Sequence, residues 1–402
     1  MLWNDTPLLQ GVRVLDLTHV VSGPYATRYL ALMGAEVIKI ENPKTGGDMA
    51  RFTGPLVDDC SVRFCSLNHN KRSIRLDLSK PEGRELFLRL AEKADVVVDN
   101  FKPGTTKKLG ISFEDLQKVN PKIVCGSISG FGANGPYRDL PAYDTIAQAM
   151  SGVMYLNGEE GTPPMKIGTS MADIVAGLNL VIGVLAALHR ANATGCGCQG
   201  ETALVDSLVS AVMLEYVGCL FTGVAPDRIG NNYREWAPSG TYRAKDGYYV
   251  LAIGRDAEFY RLATDVIGRP DLATDPRCLT HSVRVQNREL VDSALNDWAA
   301  DKTVEEVCAA LQKVGIPSGP VMDVPQVIAD THIRDHRNMF PSYDQPKAGK
   351  VTVTNIPIKA PDIQEVPLQP APELGEHTHA VLQELLDLDG ETLSRLEQSG
   401  VI

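Results

Sequence analysis

Apolar positions along this chain recur with two periods, and the switches between them mark out its elements. A strand-like run over 12–18 leads into Ser22-Gly-Pro24, then helical spacing over 25–33 and a second strand over 36–41, which together make a βαβ unit. The pattern repeats with a strand over 73–78 and a helix opened by a capping box from Ser79 to Glu82. Next comes 94–99, whose run of valines suits a strand buried on both faces. A second box, Ser112 to Asp115, opens a helix ahead of a strand over 122–127. From 144 to 222 the spacing is helical, most apolar over 174–188, and interrupted by the glycine-rich 194–200 and a strand over 201–205. Beyond Pro226 short strands such as 248–253 mix with amphipathic helices over 287–298 and 304–314. A proline-rich tail with a strand over 349–354 follows.

These elements predict an α/β protein built on a Rossmann-like, doubly wound parallel sheet, with a smaller α+β domain attached. The large domain takes 1–200, a linker helix 201–225, the small domain 226–330, and a return segment, 331–402, completes the large domain. A chain of 402 residues exceeds what one hydrophobic core usually serves, which agrees with two domains.

Composition matters here mainly for what it excludes. With 44% hydrophobic and 22% charged residues the chain reads as globular. A net charge of −11 argues against nucleic acid or an anionic membrane as a partner, and leaves small anions held by local groups of bases. The eight cysteines form no C-x-x-C pair, and Cys196 and Cys198 are too close for the usual zinc spacing, so reduced thiols and no metal are expected. Residues 1–5 lack the start of a secretory signal, and 174–188 is shorter than a membrane span. A cytoplasmic protein with a buried core helix is the expectation.

Asp173 stands where the small-residue run Gly168-Thr-Ser-Met-Ala meets that apolar helix. A carboxylate in a first helical turn is favoured as an anion, and small neighbours admit a substrate, so it is a candidate nucleophile; the plainer reading is a helix cap. A nicotinamide site with Glu41 on the ribose fails, because the turn from Thr18 to Pro24 holds one glycine where the dinucleotide fingerprint has three. Bases gather over 68–75 and 100–108. The second group lies after a strand, where its lysines can hold phosphates and Phe101 can stack on a base.

Several ordered segments carry a resemblance. They are Val-Leu-Asp-Leu-Thr-His-Val-Val-Ser-Gly-Pro over 14–24, Leu-Met-Gly-Ala-Glu-Val-Ile-Lys-Ile-Glu over 32–41, Asn-Lys-Arg-Ser-Ile over 70–74 and Asp-Asn-Phe-Lys-Pro-Gly over 99–104. With 130–136, 143–152, 168–177, 315–320 and 374–378 they resemble the family III coenzyme A transferases, the CaiB/BaiF type, over essentially the whole chain. The resemblance implies an acyl-CoA:carboxylate CoA-transferase in which Asp173 is the covalent nucleophile, passing through an aspartyl anhydride and an aspartyl-CoA thioester. CoA then enters as part of the substrate, with no metal.

Position by position, the resemblance implies that His19, Val20, Val21 and Ser22 surround the thioester, with backbone N–H groups near Val20, Val21 and Ser22 receiving the oxyanions. It implies that Leu67, Asn68, Lys71, Asn100, Phe101, Lys102 and Lys108 bind CoA, and that Tyr143 and Asp144 face the acyl group. Asn42 departs from the family's pattern, since a basic residue often stands there. Arg51 and Phe52 are further candidates for the acyl pocket, and Arg51 with Arg234 hints at a dicarboxylate such as succinate. The partners implied are acyl-CoA, a carboxylic acid and a second copy of the chain in an interlocked homodimer. The α-methylacyl-CoA racemases of the same fold are the alternative, beside a non-catalytic CoA-binding protein; they carry a histidine in a Gly-His-Asp motif where this chain has Ala142-Tyr143-Asp144.

Overall fold

The computed structural model describes residues 6–360, 363 and 365–402. The start of the chain, on which the reading of the leader rests, lies largely outside the described residues. Six strands form the main sheet: β1 (Arg13–Asp16), β2 (Glu36–Glu41), and then, past a two-residue hairpin of β3 (Leu56–Val57) and β4 (Cys60–Ser61), β5 (Lys71–Arg75), β6 (Val96–Asp99), β7 (Val124–Ser129) and β8 (Gln199–Ala203). They run β5-β2-β1-β6-β7-β8, every neighbouring pair parallel. This is the doubly wound order, and its direction of winding reverses between β1 and β6. Ligands of open α/β sheets bind in the crevice beyond the carboxyl ends of the strands at that switch point.

Side-chain alternation divides the strands between two cores. Val14, Val37, Val96, Val98, Val124 and Ile128 face one layer, where they meet α1 (Ser22–Leu32) and other helices. Leu15, Leu17, Ile38, Ile40, Ile74 and Val97 face the other. Both faces are covered, as the valine run of β6 suggested, and the charged Asp16, Lys39, Glu41 and Lys71 on these strands are buried. The chain continues through α2 (Val62–Asn68), α3 (Pro81–Ala91), α4 (Thr105–Leu109), α5 (Phe113–Val119), α6 (Asp144–Met150), α7 (Val153–Leu156), α8 (Met171–Thr194), α9 (Leu204–Ala211) and α10 (Met213–Thr222).

Two local expectations shift and one holds. The box at Ser79 does not form: Lys80 is the N-cap of α3 and Pro81 opens it, while the Ser79 hydroxyl donates to Asp77 instead. Pro at the first helical position supplies the start in place of the box. The box from Ser112 to Asp115 is present on α5. The core helix is longer than 174–188: α8 has 24 residues and, by length and composition alone, could cross a membrane, but it packs against α1, α9, β7 and β8.

Contacts divide the chain into two units. The larger comprises Met1–Met154, Lys166–Gly223 and His332–Ile402; the smaller comprises Tyr155–Met165 and Val224–Thr331. Residues 201–225 are therefore not a separate linker helix. They supply β8, α9 and α10, nearly all within the larger unit, because β8 hydrogen-bonds along β7 as the sheet's last strand. The C-terminal return is drawn in by its helices Thr378–Leu386 and Gly390–Gln398 and by the buried Val401 and Ile402, all packed on the second core. The smaller unit has its own core, centred on Tyr249, Leu251, Leu262, Leu295 and Leu311, under a three-stranded antiparallel sheet.

Candidate active site

At the switch point, the loops after β1 and β6 are tied together directly. The His19 N–H donates to Asn100 Oδ1 at 2.9 Å, and Asn100 Nδ2 returns a bond of 2.8 Å to the His19 carbonyl. The His19 and Phe101 rings lie 6.1 Å apart between centroids. Burial, reinforced by the charge of Lys39, lowers the pKa of His19 below the ordinary histidine value. Lys102, on the same loop, and Lys108, on the short helix α4 that follows it, are exposed and make no ion pair among the described residues. The second basic loop therefore offers free ammonium groups at the place where the fold puts ligands.

The first basic group is committed elsewhere. Lys71 lies on β5, fully buried, and its ammonium donates to Asp16 at 2.9 Å, Thr27 at 2.7 Å and Asn68 at 2.9 Å. Burial holds its pKa down to about 8, against the attraction of Asp16. Asn68 is buried as well, with its amide nitrogen on the Phe64 carbonyl. In this geometry Lys71 and Asn68 brace β1 and α1 from below and present nothing to a phosphate, while Leu67 is half-buried on α2. Arg72 is shared between Glu36 and Glu384. Asn42 caps the short turn that follows it, accepting from the Lys44 N–H.

Arg51 is likewise engaged. It forms a two-bond pair with Glu41, at 2.9 and 2.6 Å, donates to the Pro372 carbonyl and lies 3.7 Å over the Phe64 ring. Its guanidinium is not free to meet a substrate carboxylate here. Glu41 is wholly buried under it, which also removes that side chain as a ribose ligand. Phe52 and Tyr143 are 63% and 69% exposed.

Asp173 occupies the third position of α8, and the structure separates its two readings. The N-cap residue, Ser170, makes no side-chain cap; the Ala172 N–H is taken instead by Asp144 Oδ1 at 2.8 Å, from the start of α6. Asp144 therefore does the capping and leaves the Asp173 carboxylate for other work. Gln148, one turn after Asp144, bonds its Oδ2 at 2.8 Å and also holds the Thr169 carbonyl and the Ile167 N–H, so α6 fixes the whole approach to Asp173.

The remaining neighbour of Asp173 is the amino end of α1, where the Ser22 hydroxyl favours the charged carboxylate. Gly177 permits this approach: a Cβ there would stand 2.8 Å from the Ser22 carbonyl oxygen. Burial raises the Asp173 pKa to about 7; the nearby Asp144 charge adds to the shift and the Ser22 bond opposes it. Two helix amino ends thus converge on a carboxyl that can be charged or neutral near neutral pH, an arrangement suited to a nucleophile.

The oxyanion expectation needs one correction. The Val20 N–H is bound to Asp48 Oδ1 at 3.0 Å and the His19 N–H to Asn100, so neither is free. The N–H groups of Val21 and Ser22 begin α1, where a helix leaves its first donors without internal partners, and among the described residues no acceptor binds them. Sequence reasoning missed Asp48, Gln148 and Gly177. The spacing of four between Asp144 and Gln148 was the one local signal; nothing local links Asp48 to Val20. Among the described residues no group of three His, Cys, Asp or Glu side chains is placed to hold a metal.

The family model for CoA-transferase family III matches residues 9–378. Acetyl-CoA:oxalate CoA-transferase of Acetobacter aceti is 37% identical, over 93% of this chain and 95% of that protein. Succinyl-CoA:mesaconate CoA-transferase of Haloarcula hispanica is 38% identical, over 94% and 96%. The mouse (Mus musculus) succinyl-CoA:glutarate CoA-transferase is 34% identical, over 98% and 90%. Among solved structures, a CaiB/BaiF family protein from Brucella suis superposes with a TM-score of 0.83 at 36% identity, over 95% of this chain and all of that one. Rv3272 of Mycobacterium tuberculosis superposes with a TM-score of 0.81 at 30% identity, over 93% and 99%. Together with the doubly wound sheet and the Asp173 site, these matches over nearly the full length show that the chain is an enzyme belonging to CoA-transferase family III.

Proposed function

We propose that the protein exchanges CoA between an acyl-CoA and a carboxylic acid by covalent catalysis at Asp173, and that the acid is a dicarboxylate of the succinate class. The observation that carries the first part is the Asp173 carboxyl itself: relieved of capping by Asp144, raised by burial to a pKa of about 7, and set on a helix that packs closely on the amino end of α1. The second part is supported by relatives whose names specify succinyl-CoA with mesaconate or glutarate, and acetyl-CoA with oxalate. It draws no support from Arg51, which is occupied by Glu41.

Asp173 attacks the thioester carbonyl and expels CoA thiolate, leaving a mixed anhydride. The thiolate then attacks the aspartyl carbonyl, which releases the donor acid with one oxygen from Asp173 and leaves an aspartyl-CoA thioester. The acceptor carboxylate attacks that thioester, and the returning thiolate takes the acceptor acyl group, leaving one acceptor oxygen on Asp173. Each tetrahedral stage carries an oxyanion, and the open Val21 and Ser22 N–H groups are the donors we assign to it. CoA lies over the switch point, its phosphates near Lys102 and Lys108 and its adenine near Phe101. The route has a clear isotopic consequence. With acceptor carboxylate labelled in both oxygens by ¹⁸O, label appears in donor acid released on later turnovers; donor acid that stays unlabelled contradicts the covalent shuttle.

We propose further that the working form is an interlocked homodimer. In support, α10 has no buried residue although it carries Met213, Leu214, Val217, Leu220 and Phe221, the last two 82% and 88% exposed. An apolar face of that kind suits an interface between subunits.

A further inference from the structure

The turn that leads into α1 is held by side chains at nearly every backbone polar group. The Thr18 N–H goes to Asp16 and the Thr18 carbonyl to the Lys39 ammonium at 2.7 Å; both His19 groups go to Asn100; the Val20 N–H goes to Asp48. Val20 has φ +69°, a left-handed conformation that a β-branched residue adopts only when its surroundings impose it. The donors immediately after it, Val21 and Ser22, are the open ones. The strained residue thus sits between a fixed turn and the first open donors of α1.

Asp48 is built into this arrangement. Gly46 and Gly47 both have positive φ, and a Cβ on Gly47 would stand 2.5 Å from Glu41 Oε1, so the turn needs glycine to pass. Asp48 donates its own N–H to Glu41, accepts from Ala50 as well as from Val20, and pairs with Lys39 at 3.0 Å, both side chains wholly buried. It stands 28 residues from Val20 in sequence and belongs to none of the CoA-contacting segments.

We propose that Asp48 is a positioning residue for the transferase reaction, acting through the strained Val20 to aim the Val21 and Ser22 N–H groups at the oxyanion formed over Asp173. The inference rests on Asp173 being the nucleophile. An acceptor that only held the fold would affect stability and substrate binding together, whereas one that aims an oxyanion hole affects the transition state alone.

The test compares Asp48→Asn, which keeps an acceptor oxygen for Val20, with Asp48→Ala/Lys39→Met, which removes the acceptor without leaving a buried lone ammonium. For each variant, kcat and KM for CoA transfer are measured beside the rate of hydroxylamine-trapped labelling of Asp173 by succinyl-CoA. The expected result is a loss of roughly 10²-fold in both kcat and labelling rate for the double variant, with KM within about threefold of wild type and most of the loss recovered in Asp48→Asn. If the double variant does not fold, Asp48→Asn against Asp48→Ala supplies the same comparison. A variant without the acceptor that retains wild-type kcat and labelling overturns the positioning role while leaving Asp173 as nucleophile. Transfer by the wild type with no label on Asp173 overturns both.

Discussion

Asp173 is poised between two protonation states, and its surroundings set the direction of every pH effect at the site. Burial raises its pKa to about 7, Asp144 adds to the rise and Ser22 counters it. In the proposed mechanism the attacking form is the anion, so the rate of acyl transfer to Asp173 is expected to climb as pH rises through about 7 and to level above it. In pH–rate profiles, Asp144→Asn, which keeps the acceptor for Ala172 but removes a like charge, moves that limb to lower pH. Ser22→Ala moves it higher. The same shift acts on stability with the opposite sense. Between the ordinary carboxyl range and pH 7 the folded state holds a proton that the unfolded state has released, so stability falls as pH rises across that window. Asp173→Asn therefore raises the melting temperature relative to wild type by a margin that grows up to about pH 7 and then stays constant. A margin independent of pH contradicts the raised pKa. Lys71 gives the contrasting case. Lys71→Met leaves Asp16 buried without its ion-pair partner and costs about 3–5 kcal/mol in denaturant unfolding, with KM for the CoA thioester little changed in the folded fraction. A selective rise in KM at unchanged stability instead restores Lys71 as a CoA contact.

At the scale of elements, the site is the meeting of α1, α6 and α8, and the closeness of α1 to α8 depends on one missing side chain. Gly177→Ala places a methyl against the Ser22 carbonyl and forces the amino end of α1 away from Asp173. The expected cost is about 1–3 kcal/mol of stability and a roughly 10²-fold loss of kcat, because a displacement near 1 Å at the reacting groups is enough for that. Gly183→Ala, on the same helix with open space around it, serves as the control in the same assays. How far these elements were readable follows from what each depends on. Strand β2 was legible to the residue, because its alternation sits between a helix and a turn. Strand β5 begins two residues before the run that alternation marks out, since Lys71 and Arg72 look like loop charges until the sheet shows them paired with Asp16 and Glu36. The Ser79 box misled because Pro81 opens the helix without it. Asp173 was visible as a carboxylate among small residues, but its release from capping depends on Asp144, which is 29 positions earlier and reaches it only through the packing of α6 on α8.

For the whole molecule, the doubly wound order puts the loops after β1 and β6 side by side, and this explains why residues as distant as His19 and Asn100 share two hydrogen bonds. The alternation of elements made the parallel sheet legible. The return of 332–402 to the larger unit was traceable to its strands and prolines, whereas the assignment of 155–165 to the smaller unit had no signature in sequence. The exposed apolar face of α10 belongs to this scale as well. Sedimentation is expected to give a dimer, and Leu220→Asp/Phe221→Asp to give monomer or aggregate; a monomeric, fully active wild type contradicts the interface. Subunits that pass through one another do not exchange between tagged and untagged dimers without unfolding, so rapid mixing of tags in native buffer contradicts the interlocked form. The most direct test of the account remains the mass of the protein after reaction with succinyl-CoA and hydroxylamine, wild type beside Asp173→Ala. The expected result is a hydroxamate on the wild-type chain that peptide mapping places at Asp173, with none in the variant. Transfer activity without that adduct, or an adduct that persists in Asp173→Ala, contradicts Asp173 as the nucleophile.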